Sequence, residues 1–299
     1  MMTAESPSPP ARLSQYGVVG AWAFTLFAIT GIGMLPLFFY RLDLSKLTFS
    51  TPVPVVAGIG IELTAYAPTL AALLVAAFMS KGGGLRRLLR PVVRWRVSWR
   101  WYLLALLGPS VLFLVGDIIR LLTGQDLPKS WLAIPPATAI AFLVGALIAG
   151  SFGEEVGWRG LGQARLQTTF GALSAAIVVG VLWGLWHLWP VIAPGGLSTT
   201  TWSDVILTLV RLVSTSIVYA WLYNSTRGSL LIVMLAHAGH NLAFRFVPLA
   251  DSVQHGDPVV TGLYALAAAA LVVVTGHRWL SRIHEYPDSE HISPKWPGR

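Results

Sequence analysis

The 299-residue chain has no cysteine, and only 11% of its residues are charged. Without cysteine it can hold neither disulfides nor thiolate metal sites, so a metal centre would need histidine and carboxylate ligands. A soluble protein of this length carries roughly a quarter charged residues. Here long stretches hold no charge at all, which excludes one large soluble core. Lysine is scarcest, 4 against 17 arginines. With the abundant Ala and Gly, that bias points to a GC-rich bacterial genome.

What is plentiful is apolar. Hydrophobic residues make up 55% of the chain and its mean hydropathy is +0.65. A helix needs about 20 mainly apolar residues to cross the hydrocarbon core. Suitable stretches fall near 17–40, 54–79, 101–122, 137–158, 171–190, 204–224, 229–247 and 258–276. The expected fold is an all-α, polytopic transmembrane bundle of about eight spans, without internal repeats. It divides into a disordered tail (1–16), N-terminal spans (17–136), a core (137–247), and a last span with its tail (248–299).

The net charge of +8 suggests nucleic acid only if the chain is soluble. In a membrane protein, basic loops are topology signals, and no nucleic-acid partner is expected. With the N-terminus inside, 15 basic residues fall in cytoplasmic segments. Only Arg41, Lys46, Arg120, Lys129 and Arg245 fall opposite, with Arg211 inside a span. Both termini are therefore expected in the cytoplasm, and the membrane is expected to be a bacterial plasma membrane. The first residues are polar and Pro-rich and lack the features of a signal peptide. Segment 81–100, with Gly82–Gly84 and Trp95 and Trp99, reads as a basic helix lying among anionic headgroups.

Ionisable side chains inside spans are expensive and mark candidate functional sites. His255, His277, His284 and His291 lie in loops or the tail and read as solvated. His187, His237, His240, Glu154, Glu155 and Arg159 lie in apolar stretches. Glu155 and Arg159 are four apart and can pair on one helical face, while Glu154 lies about 100° around and points elsewhere. Two snorkelling glutamates are the plainer alternative. Trp183 and His187 share a face, so the indole can pack beside the imidazole; an aromatic belt with an interfacial His reads the same. His237 and Asn241 share a face beside His240, and Ala238 and Gly239 allow close approach of another helix. Packing alone is the alternative there.

Glu154-Glu155-Val156-Gly157-Trp158-Arg159, Trp183-Gly184-Leu185-Trp186-His187 and His237-Ala238-Gly239-His240-Asn241 resemble three motifs of one family. These are the E-E-x-x-x-R, aromatic-x-x-x-H and H-x-x-x-N/B motifs of the type II CAAX prenyl endopeptidases, or CPBP intramembrane metalloproteases. The resemblance covers about 150–245. It implies an intramembrane endopeptidase in which Glu154 and His187 activate water while His237 and Asn241 stabilise the oxyanion. Glu155 and Arg159 would be supports and Trp183 the motif aromatic, with His240 an adjunct outside the motif. It also raises Zn²⁺, with Glu154, His187 and His237 as candidate ligands, against a metal-free Glu–His pair. The expected partners are the bilayer and a peptide or membrane-protein substrate, prenylated CAAX proteins being the family's label. A non-catalytic immunity or scaffold protein of the same fold is the competing reading, and a proton-coupled transporter a more distant one. One uncertainty of depth remains: the stretch Leu161–Phe170 permits the fourth helix to run to about Gln167 and so set Glu154 deeper.

Overall fold

The computed structural model describes residues 15–47, 51–79, 83–127, 136–247 and 256–287. The expected N-terminal tail lies almost wholly outside them, as does the end of the C-terminal tail. Among the described residues all regular structure is helical. The helices are α1 (Gln15–Phe39), α2 (Val55–Ala65), α3 (Ala67–Met79), α4 (Gly84–Leu89), α5 (Trp99–Leu122) and α6 (Pro136–Gly145). After α6 come a π-helical stretch (Ala146–Phe152), α7 (Gly153–Glu155), a second π-helical stretch (Val156–Gln163) and α8 (Ala164–Phe170). The chain ends with α9 (Ala172–Trp186), the short α10 (Trp189–Ile192) and α11 (Gly196–Thr199), then α12 (Trp202–Ser225), α13 (Leu230–Phe246) and α14 (Pro258–Thr275).

All eight apolar stretches are helical, but they do not all make plain spans. Six helices are long and apolar enough to cross a membrane by themselves. The α2–α3 pair makes a seventh only if counted as one span bent by 66°, and α13 contributes a shorter apolar helix, Leu230–Phe244. The outer surface is apolar where lipid would lie: Phe24, Leu35, Leu103, Leu107, Val111, Leu266 and Val273 are exposed. An apolar surface of this extent fits lipid as solvent, and the protein is an integral membrane protein. Segment 83–98 is not one helix. Pro91 lacks a backbone N–H, and α4 gives way to a single 3₁₀ turn over Arg90–Val93 and then extended chain.

The fourth span runs unbroken over Ile140–Phe170, 31 residues, with the Glu pair at its middle. The deeper placement of Glu154 follows from that continuation. The run ends at Gly171, whose φ of +83° lies in the left-handed region that side chains avoid, and the chain reverses into α9. Small residues let the helices close on the run. A Cβ at Gly157 would stand 2.3 Å from the Pro68 carbonyl oxygen on α3, and one at Gly239 2.6 Å from that of Leu106 on α5. The expected close approach at Gly239 is thus made by α5. Gly180 and Gly184 of α9, four apart, face Val213 and Leu209 of α12, a small-xxx-small contact. At the outset of the connection to α2, Asp43 accepts from the Ser45 hydroxyl and pairs with Lys46 at 3.0 Å. Those contacts hold its carboxyl below the usual range.

Candidate active site

Glu154, Glu155 and Arg159 are all buried, the last two completely. Because neighbouring residues diverge around a helix, the two carboxylates part. Glu155 turns to Arg159, with the expected ion pair at 3.1 Å. It also reaches α13, where Oε1 accepts from His237 Nδ1 at 2.8 Å. A carboxylate only accepts, so Nδ1 carries the proton and Nε2 is the nitrogen offered to the site.

Glu154 faces that other nitrogen. Its Oε1 is 3.8 Å from His237 Nε2, too far for a direct hydrogen bond but close enough for one water to touch both. Its Oε2 accepts from the Trp183 indole N–H at 2.6 Å. One imidazole therefore stands between two carboxylates from adjacent positions of one helix.

Trp183 is the hub of the arrangement. Its ring meets His187 edge-on with centroids 5.5 Å apart, as the i,i+4 spacing predicts. It meets His237 at 5.7 Å and Tyr219 of α12 at 5.9 Å. The Arg159 guanidinium lies over both Trp183 and Tyr219, at 4.6 and 5.0 Å from the ring centroids. His187 donates from Nδ1 to the Trp183 carbonyl at 3.1 Å, which leaves its Nε2 unengaged by the backbone.

The structure thus brings Glu154, Glu155, Arg159, Trp183 and His237 into direct contact and sets His187 against the indole that they share. Asn241 lies one turn beyond His237, half-buried, with Nδ2 facing Gly150 of the first π-helical stretch. His240 does not join them. Its Nδ1 is 2.7 Å from the Tyr264 hydroxyl, and its ring packs with Phe113 and Phe244. Tyr219 was invisible to sequence reasoning: it belongs to no motif, and only its place on α12 puts it under Arg159.

The donor set does not fit a catalytic zinc as arranged. Such sites take three protein ligands and one open position. Among the described residues no three His, Asp or Glu side chains are grouped to hold a metal ion.

Residues 135–243 match the family model described as type II CAAX prenyl endopeptidase Rce1-like. A stretch of 133 residues is 27% identical to a protein of Methanococcus maripaludis named CAAX prenyl protease 2. The aligned part is 42% of this chain and 47% of that relative, so the chain spans about half the relative's length. The stretch of this chain that carries Glu154, His187, His237 and Asn241 is similar to the type II CAAX prenyl endopeptidases of the Rce1-like family.

Proposed function

We propose that this protein is an intramembrane endopeptidase of the CAAX-protease type, with its catalytic core in 137–247 and both termini in the cytoplasm of a bacterial plasma membrane. The observation that carries the reading is the buried Glu154 carboxylate facing His237 Nε2 at 3.8 Å while Trp183 fixes its other oxygen.

In this reading a water lodges at Glu154 Oε1, with His187 Nε2 as the second group acting on it. Glu154 takes a proton as the water oxygen attacks the carbonyl carbon of a peptide bond. The carbonyl oxygen becomes an oxyanion, which Asn241 Nδ2 and the imidazolium form of His237, through Nε2–H, stabilise. Glu154 then returns the proton to the amide nitrogen, the C–N bond breaks, and an acid and an amine leave. Glu155 and Arg159 hold His237 throughout, and His240 supports the outer turn of α13 through Tyr264. No step runs through a metal. The substrate is a peptide or the tail of a membrane protein, with prenylated CAAX sequences one class to try.

The test is hydrolysis of a fluorogenic peptide by the purified protein in detergent or nanodiscs. Wild type should cleave it and Glu154→Gln should not, with both eluting and melting alike. A folded Glu154→Gln protein as active as wild type removes Glu154 as the base. An inactive wild type across a broad peptide panel favours a scaffold role.

A further inference from the structure

Three arginines sit within spanning helices among the described residues of the bundle's interior, and two are accounted for. Arg120 pairs with Asp257, and Arg159 pairs with Glu155. Arg211 of α12 is different. It is 5% exposed, its Nε has no hydrogen-bond partner, and among the described residues no carboxylate forms an ion pair with it. Its guanidinium lies over the Phe244 ring, 5.3 Å from the centroid. Phe244 in turn packs against His240, and Arg211 lies near enough to His187 and His240 to act on both electrostatically. A cation buried without an anion is unfavourable in a membrane interior, and charged groups there serve ligands or pathways.

Its position relates it to the proposed chemistry. Phe244 lies seven residues beyond His237 on α13, roughly 10 Å along the helix axis. An extended peptide covers that distance in about three residues. Arg can bind a carboxylate with two parallel N–H donors.

We propose that Arg211 is the receptor for a substrate carboxylate lying about three residues from the scissile bond, and so determines which peptides are cut. This rests on the endopeptidase reading above. Two sources supply that chemistry: the free C-terminus of a peptide, or an Asp or Glu side chain.

The test uses the full-length protein in nanodiscs and three fluorescent peptides of one sequence. The first ends in a free carboxylate, the second in an amide, and the third in an amide with Glu placed three residues beyond the cleaved bond. Binding is read by anisotropy and cleavage is followed in parallel. Wild type should bind and cleave the free acid at least about tenfold better than the plain amide. Arg211→Gln should remove that preference and Arg211→Lys should retain part of it. Recovery by the Glu peptide assigns the carboxylate to a side chain, and no recovery assigns it to the terminus. Equal binding of all three by wild type, or none, overturns the proposal without any variant, as does an acid preference that survives in folded Arg211→Gln. If wild type cleaves nothing yet binds the acid preferentially through Arg211, the endopeptidase reading fails and the receptor stands. If it cleaves acid and amide alike, the converse holds.

Discussion

Glu155 Oε1 and His237 Nδ1 stand 2.8 Å apart across 82 residues of sequence. The same carboxylate pairs with Arg159, so one buried group joins the fourth span to α13 and sets the ring angle of His237. Its neighbour Glu154 makes no such tie to a cation of its own helix, and its Oε1 remains directed at the far side of the same ring. The two glutamates therefore divide between holding and reacting, and their substitution should separate the two.

Glu155→Gln should unfold the core. It leaves Arg159 buried without its carboxylate, a loss of about 3–5 kcal/mol for a broken buried pair. A thermal melt in detergent should show a large drop for Glu155→Gln and little change for Glu154→Gln. Matching melts for the two would show that Glu155 is not the anchor.

Trp183→Phe keeps an aromatic ring against His187, His237 and Tyr219 but deletes the N–H that Glu154 accepts. Hydrolysis should fall by about 10–100-fold, the loss of a charged hydrogen bond of about 1.5–3 kcal/mol. The melting temperature should change much less. An unaltered rate in Trp183→Phe would mean that the indole hydrogen bond does not orient the base.

Gly157→Ala should lower stability by about 1–3 kcal/mol, as overpacking does, because the new methyl meets a backbone carbonyl of α3 that cannot swing aside. Gly145→Ala, in the same helical run, meets nothing within 4 Å and should be neutral. Comparing their melts tests whether α3 closes on the motif helix at that point.

Prolonged treatment with a chelator should leave peptide hydrolysis within about twofold of its starting rate, since no step above uses a Lewis acid. Loss of activity on chelation, restored by Zn²⁺ alone, would return Glu154, His187 and His237 to the role of ligands.

Much of this arrangement could be read before folding was considered, because it is local. Glu155 with Arg159, and Trp183 with His187, are i,i+4 pairs whose contact follows from helix geometry. The close approach at Gly239 follows from the missing side chain, although not the identity of the helix that fills the gap. The indole-to-Glu154 bond joins residues 29 apart, and the tether from Glu155 to His237 joins residues farther apart still. Neither follows from helical periodicity, since both depend on how α9 and α13 close around the fourth span. Tyr219 and Arg211 were hidden for the same reason: α12 carries no motif, and its interior face is defined only by its neighbours. Nor does spacing foretell that Pro91 breaks the basic segment into a short helix and a turn, or that His240 falls in with Tyr264.

The fourth span winds as a π-helix on both sides of the three-residue α7. A π turn hydrogen-bonds i to i+5 and behaves like one residue added to an α-helix. The span therefore carries a phase as well as a length. Deleting one residue between Ala146 and Phe152 would shorten the helix by only about 1.5 Å, yet turn everything after it by about 100° relative to what precedes it. With the outer half of the span held by its own packing, both carboxylates would swing off the imidazole while the membrane crossing survived. The aim of the glutamates is thus stored in the winding upstream of them, and a single-residue deletion can disarm the site without touching any residue in it.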